Sequence, residues 1–179
     1  GNKGLCQMSI EIKGIDFEKI GFDSSSIICL AVDPRNLNHF KANFCSFSKK
    51  YYFSVESEAE TIGVLINKYS FSPSESRALW KKVCSEINLN LICWGKDLNE
   101  RGSFFKIVRE INNSLSNNGK DATFFIGDMD VQIISNFYSE EIRKIYTLDR
   151  AFKKTCKELG IITLKMPKEY LVRMEKKAK

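Results

Sequence analysis

Short apolar runs alternate along this chain with longer stretches of helical periodicity. That alternation constrains the fold more than any other feature. Residues 20–22, 86–94, 145–148 and 161–164 read as strands, and 51–54 as a strand or loop entry, with aliphatic or aromatic side chains concentrated over a few positions. Between them, residues 37–47, 57–69, 104–115 and 150–159 carry helical spacing. A further helix opens at Pro73 behind Ser72, with Glu75 in its first turn, and runs to about residue 83. Asp130 is expected to cap another helix, through about residue 138. Strands that alternate with helices pair in parallel, with the helices covering the sheet. The expected class is therefore α/β, with a central, mainly parallel sheet. Two segments remain open at this level. Residues 26–32 read either as a helix capped by the serines after Asp23 or as a strand ending at Asp33; residues 122–126 read as a strand or a packed loop.

The chain has 179 residues and is 43% hydrophobic, enough for one domain with a sizeable core. No apolar run approaches the ~20 residues that span a bilayer. The first eleven residues lack the apolar segment of a secretory signal, so a cytoplasmic protein without a membrane partner is expected. The six cysteines form no C-x-x-C pair and there is one histidine, which argues against structural zinc and for reduced thiols.

Four acids stand at segment edges. Asp23 follows the first strand, Glu60 opens the apolar stretch from Thr61 to Ile66, Asp130 precedes Val131, and Asp149 closes the run that includes Thr147. A parallel sheet gathers such edges at the C-terminal ends of its strands, where open α/β folds hold their ligands. Converging carboxylates repel one another unless a cation sits among them, and hard oxygen donors select Mg²⁺ or Mn²⁺. The net charge is nonetheless +6. A positive surface around a negative centre suits a polyanionic substrate held through metal. Lys49 and Lys50, just before Tyr51, Tyr52 and Phe53, are the expected phosphate contacts, although the rings read as core aromatics. The lysine-rich end, residues 166–179, reads as a frayed basic tail.

The order of these residues resembles the PIN-domain nuclease family. Phe22, Asp23, Ser24 and Ser25 are similar to its first motif, and His39 with Ala42 to the H-x-x-A that often follows. Ser54 and the stretch from Glu60 to Leu65 resemble its Ser strand and Glu helix. Asp130 to Ile134 resembles the opening of the helix after the variable region, and Thr147, Leu148 and Asp149 the T-x-D motif, with Leu159, Gly160 and Ile161 as its sequel. Three positions depart from the pattern. Ala151 stands where many members have another Asp, and Ser135 and Asn136 stand in place of common alanines.

The resemblance implies a three-layer α/β/α sandwich over residues 19–165, with residues 1–18 as an N-terminal extension. It implies metal-dependent hydrolysis of phosphodiesters, usually in RNA. Asp23, Asp130 and Asp149 are then expected to ligate Mg²⁺ or Mn²⁺, and Glu60 to ligate or to orient water. Ser25 and Thr147 are expected to support them by hydrogen bonds. A protein inhibitor or oligomer partner is also implied. Each acid has a plainer reading. Asp23, Asp130 and Asp149 are also good helix caps, and Glu60 is one of an acidic group with Glu56 and Glu58. Glu58 is the substitute for Glu60, Asp128 for Asp130 and Asp33 for Asp23. A structure-specific DNA nuclease and a non-cutting RNA- or protein-binding module are the competing functions.

Overall fold

The chain is described here from a computed structural model, which covers residues 16–92, 98–118 and 126–178. In order the elements are β1 (Glu18–Phe22), α1 (Ser24–Ala31), α2 (Pro34–Phe44), β2 (Lys49–Phe53), α3 (Glu56–Asn67), α4 (Pro73–Glu86) and β3 (Leu89–Leu91). They are followed by α5 (Leu98–Asn118), α6 (Asp128–Ser139), β4 (Lys144–Tyr146), α7 (Arg150–Glu158), β5 (Ile162–Leu164) and α8 (Lys168–Lys177). The open segment after Asp23 is a helix: Asp23 accepts the Ser26 N–H, and Asp33 with Pro34 ends it by starting α2. Ser72 and Glu75 form a reciprocal capping box on α4, as their spacing predicts. Asp130 does not cap α6. Gly127 is the N-cap, and Asp130 sits in the first turn, where the helix dipole still favours an acid. Part of the expected 86–94 strand and most of 122–126 lie outside the described residues, as does most of the N-terminal extension.

All strand pairs are parallel, in the order β3-β2-β1-β4-β5. The chain winds outward from β1 through β2 to β3, then crosses back to place β4 on the other side of β1. Successive connections therefore leave in opposite directions at the β1/β4 boundary, which opens a crevice beyond the strands' C-terminal ends.

One core lies on each side of the sheet. Ile20 and Phe22 of β1 pack with α1, α2, α3, α4 and α8, whereas Ile145 of β4 packs with α5, α6 and α7. The alternation follows from the two-residue repeat of a strand. Gly21 falls between Ile20 and Phe22, toward α6, and a Cβ there would lie 3.0 Å from the Phe137 ring. The missing side chain lets α6 lie directly on β1.

The basic C-terminal segment is a docked helix, not a frayed end. Tyr170 is 1% exposed in the first core, and its hydroxyl lies 2.6 Å from His39 Nδ1. Asn36 Nδ2 donates to the Tyr170 carbonyl at 3.3 Å. An aromatic anchor outweighs the charge of the surrounding lysines, which remain on the solvent side. His39 is thus a packing and hydrogen-bonding partner of α8. Among the described residues no helix is long and apolar enough to cross a membrane.

Candidate active site

Asp23 comes immediately after β1, Thr147 immediately after β4 and Asp149 two residues later, so the two central strands deliver them to the crevice at the chain reversal. Asp23 is 3% exposed. Its carboxylate accepts the Ser26 N–H at 2.9 Å, the Ser25 hydroxyl at 2.7 Å and the Thr147 hydroxyl. Ser25 Oγ in turn accepts the Leu148 N–H at 3.0 Å, which ties the start of α1 to the loop after β4. Asp149 caps α7, accepting the N–H groups of Ala151 at 2.8 Å and Phe152 at 3.1 Å. Asp130 enters from the first turn of α6 and Glu60 from the second turn of α3. The capping roles of Asp23 and Asp149 are real. They fix each carboxylate's position while leaving it in the crevice.

The four acids lie near enough to act on one another's charge. Burial, followed by the charges of Glu60, Asp149 and Asp23, pushes the Asp130 carboxyl up to about 7. Glu60 is raised by burial and then by Asp23, with the Ser24 hydroxyl opposing and Asp149 adding to the rise. Burial raises Asp23 as well, against the hydrogen bonds it accepts. Scarce water raises Asp130, Glu60 and Asp23, and nearby carboxylates add to the rise at Asp130 and Glu60. Three helix N-termini (α1, α6 and α7) meet here, and their dipoles partly offset the negative charge.

The donor set suits a hard divalent cation, being made of carboxylate and hydroxyl oxygens. One atom points the same way: Glu60 Oε2 is buried and has no hydrogen-bond partner. A buried carboxylate oxygen left unpaired is costly, and a cation would satisfy it. Among the described residues no three His, Cys, Asp or Glu side chains already converge closely enough to hold an ion. Asp23 is engaged by hydroxyls on both oxygens.

The rival acids differ in exposure and position. Glu58 and Asp128 are exposed. Asp33 sits at the far end of α1, where it caps α2 and pairs with Arg35 at 2.7 Å; that guanidinium's hydrogen bond holds its carboxyl at about 2. Lys49 and Lys50 lie away from the acids. Both residues open β2, in register with Glu18 and Lys19, so they occupy the N-terminal edge of a parallel sheet whose acids sit at the C-terminal edge. They line a cavity of about 650 Å³ with Phe17, Lys41, Phe47 and Glu86, remote from the carboxylates. Tyr51 and Phe53 are core residues, at 2% and 9% exposure.

Two polar residues beside the site, Glu56 and Asn136, had no role assigned from the sequence. The Asn136 amide donates to Ser54 Oγ at 2.8 Å, and Ser54 donates to the Glu56 carboxylate. Glu56 had a local signal, since it lies four residues before Glu60 and so on the same helix face. Asn136 stood out only as a departure from the family pattern, and its partners are about eighty residues away.

This architecture matches solved structures. A chain in the structure of VapBC-1 from nontypeable Haemophilus influenzae superposes with a TM-score of 0.55 over 83% of this chain and 98% of that one, at 14% identity. A chain of VapBC2 from Rickettsia felis, bound to a DNA fragment from their promoter, gives 0.53 over 83% and 99%, at 16% identity. The fold is PIN-like. No family model matches the sequence, and no curated protein does. In this PIN-like domain the departure at Ala151 is occupied structurally. Its backbone N–H holds Asp149, and its side chain is buried in the second core.

Proposed function

We propose that this PIN-like domain is a metal-dependent endoribonuclease, with Asp23, Glu60, Asp130 and Asp149 as its catalytic carboxylates. What supports the reading is their placement around the β1/β4 crevice, where the charges of Glu60, Asp149 and Asp23 add to burial in raising the Asp130 carboxyl. Mg²⁺ or Mn²⁺, when bound, would lower the pKa of water and offset charge on the phosphoryl transition state. Asp23, Asp130 and Asp149 would hold it, with Glu60 as a further ligand or as the acceptor of the attacking water's proton. Ser25 and Thr147 orient Asp23, so their role is to keep a buried carboxylate aimed and ionisable. The resemblance to the PIN family and the VapBC matches also support a protein partner that restrains the activity.

The test is cleavage of single-stranded or loop RNA by the purified chain in Mn²⁺ or Mg²⁺. EDTA should stop it, and Asp130→Asn should abolish cutting while leaving RNA binding largely intact. Cleavage that persists in both EDTA and Asp130→Asn would refute this site. Binding without cutting, in both metals and on several structured RNA and DNA substrates, would establish a binding module instead. Cleavage confined to structured DNA would make it a DNA nuclease.

A further inference from the structure

We propose that Asn136 is a positioning residue, which sets the separation of Glu60 and Asp130 by clamping the head of α3 to α6. The inference rests on the nuclease reading above. The two acids come from opposite layers. α3 follows β2 and packs in the first core, whereas α6 precedes β4 and packs in the second. β1 lies between those strands, so no backbone ladder fixes the distance between the two helices.

Side chains fix it instead. Asn136 is 4% exposed. Its amide nitrogen donates to Ser54 Oγ at 2.8 Å and lies 3.4 and 3.3 Å from the two Glu56 carboxylate oxygens. Its oxygen accepts the Gln132 amide at 3.1 Å, which leaves the NH₂ group facing α3. A carboxylate beside it demands that orientation, since an amide oxygen there would be repelled. Ser54 donates to Glu56 and completes a closed, partly buried triangle.

The lever is short. Glu56 lies one helical turn before Glu60 on the same face of α3, and Asn136 lies six residues, roughly 9 Å of helix, after Asp130 on α6. Fixing one end of this pair of helices fixes the gap at the other. The triangle also occupies the Glu56 carboxylate with donors, so it does not join the acidic cluster. Alanine, common at this position in the family the sequence resembles, offers no such link.

The experiment uses the full chain with Mn²⁺ alone, titrated by calorimetry and by electron paramagnetic resonance well below each protein's melting temperature, together with RNA kinetics. Asn136→Ala and Asn136→Asp should each weaken Mn²⁺ about tenfold or more, the usual scale for a residue that orients ligands. kcat should fall by a similar factor, with KM for RNA within about twofold. The double variant Asn136→Asp with Glu56→Gln exchanges amide and carboxylate at constant charge. It should restore Mn²⁺ affinity to within about threefold of the parent, because the same hydrogen bond re-forms in reverse. Lower melting temperatures with parental Mn²⁺ affinity and kcat in both single variants would overturn the proposal and leave Asn136 a structural residue. A parent chain that binds no Mn²⁺ would instead overturn the metal-dependent reading, and this inference with it.

Discussion

Thr147 donates its hydroxyl to the Asp23 carboxylate and accepts the Asp149 N–H at 3.1 Å, so one fully buried side chain at the end of β4 links two of the four acids. Thr147→Val keeps the shape and removes the hydroxyl, leaving a buried carboxylate short of a donor. Urea denaturation at pH 7 should show a loss of about 1–3 kcal/mol. Thr147→Ser retains the donor and should lose no more than about 1 kcal/mol. Equal losses in the two variants would show that the methyl group, not the hydrogen bond, is what the fold needs.

The raised Asp130 carboxyl makes metal-free stability depend on pH. Its folded value of about 7 lies above the ordinary 3.8, so the folded state holds the proton more tightly. The resulting stabilisation is complete below about pH 4 and is lost as pH rises through 7. Metal-free protein should therefore lose on the order of 2 kcal/mol between pH 5 and 8.5, after a discount for the carboxyl's partial solvation. Asp130→Asn should flatten that slope. Asp33 acts oppositely, its low value lending stability that disappears as pH falls from 4 to 2, so the measurement belongs above pH 5. A parent curve that is flat or rises from pH 5 to 8.5 would contradict the buried cluster.

Asp149→Asn should fold and be at least as stable as the parent without metal. Asparagine caps a helix as well as aspartate does, and one of several clustered charges is removed. Mn²⁺ should then raise the melting temperature of the parent more than that of the variant. Equal shifts would count against Asp149 as a ligand.

Charge reversal at Lys49 and Lys50 should leave RNA affinity within about twofold and the salt dependence unchanged, because both lie across the sheet from the acids. A salt slope reduced by about 2 would show that RNA reaches around the domain to the N-terminal edge.

Removal of residues 166–179 should destabilise the domain strongly, as Tyr170→Ala should by about 3–5 kcal/mol, the scale for truncating a buried aromatic. A truncated chain as stable as the parent would restore the segment to the status of a tail.

The sequence by itself determined most of the elements and singled out the candidate acids. Strand and helix periods, the Ser72 capping box and the position of Asp149 between a strand and a helix are local properties, encoded within a few residues of where they act. For that reason Gly160 was also legible as the end of α7, at φ 72°. The tertiary structure decided everything that depends on which strands are neighbours. Only the return of β4 to the far side of β1 brings Asp149 to Asp23, and the same parallel register sends Lys49 and Lys50 to the opposite edge. The bare β1 surface at Gly21, against which Phe137 packs, sets how close α6 and hence Asp130 can come. Tyr170 turns a basic segment into a docked helix because one aromatic side chain finds a complete pocket across the fold. Asn136 pairs with residues about eighty positions away, and a contact at that separation leaves no periodic trace in either segment.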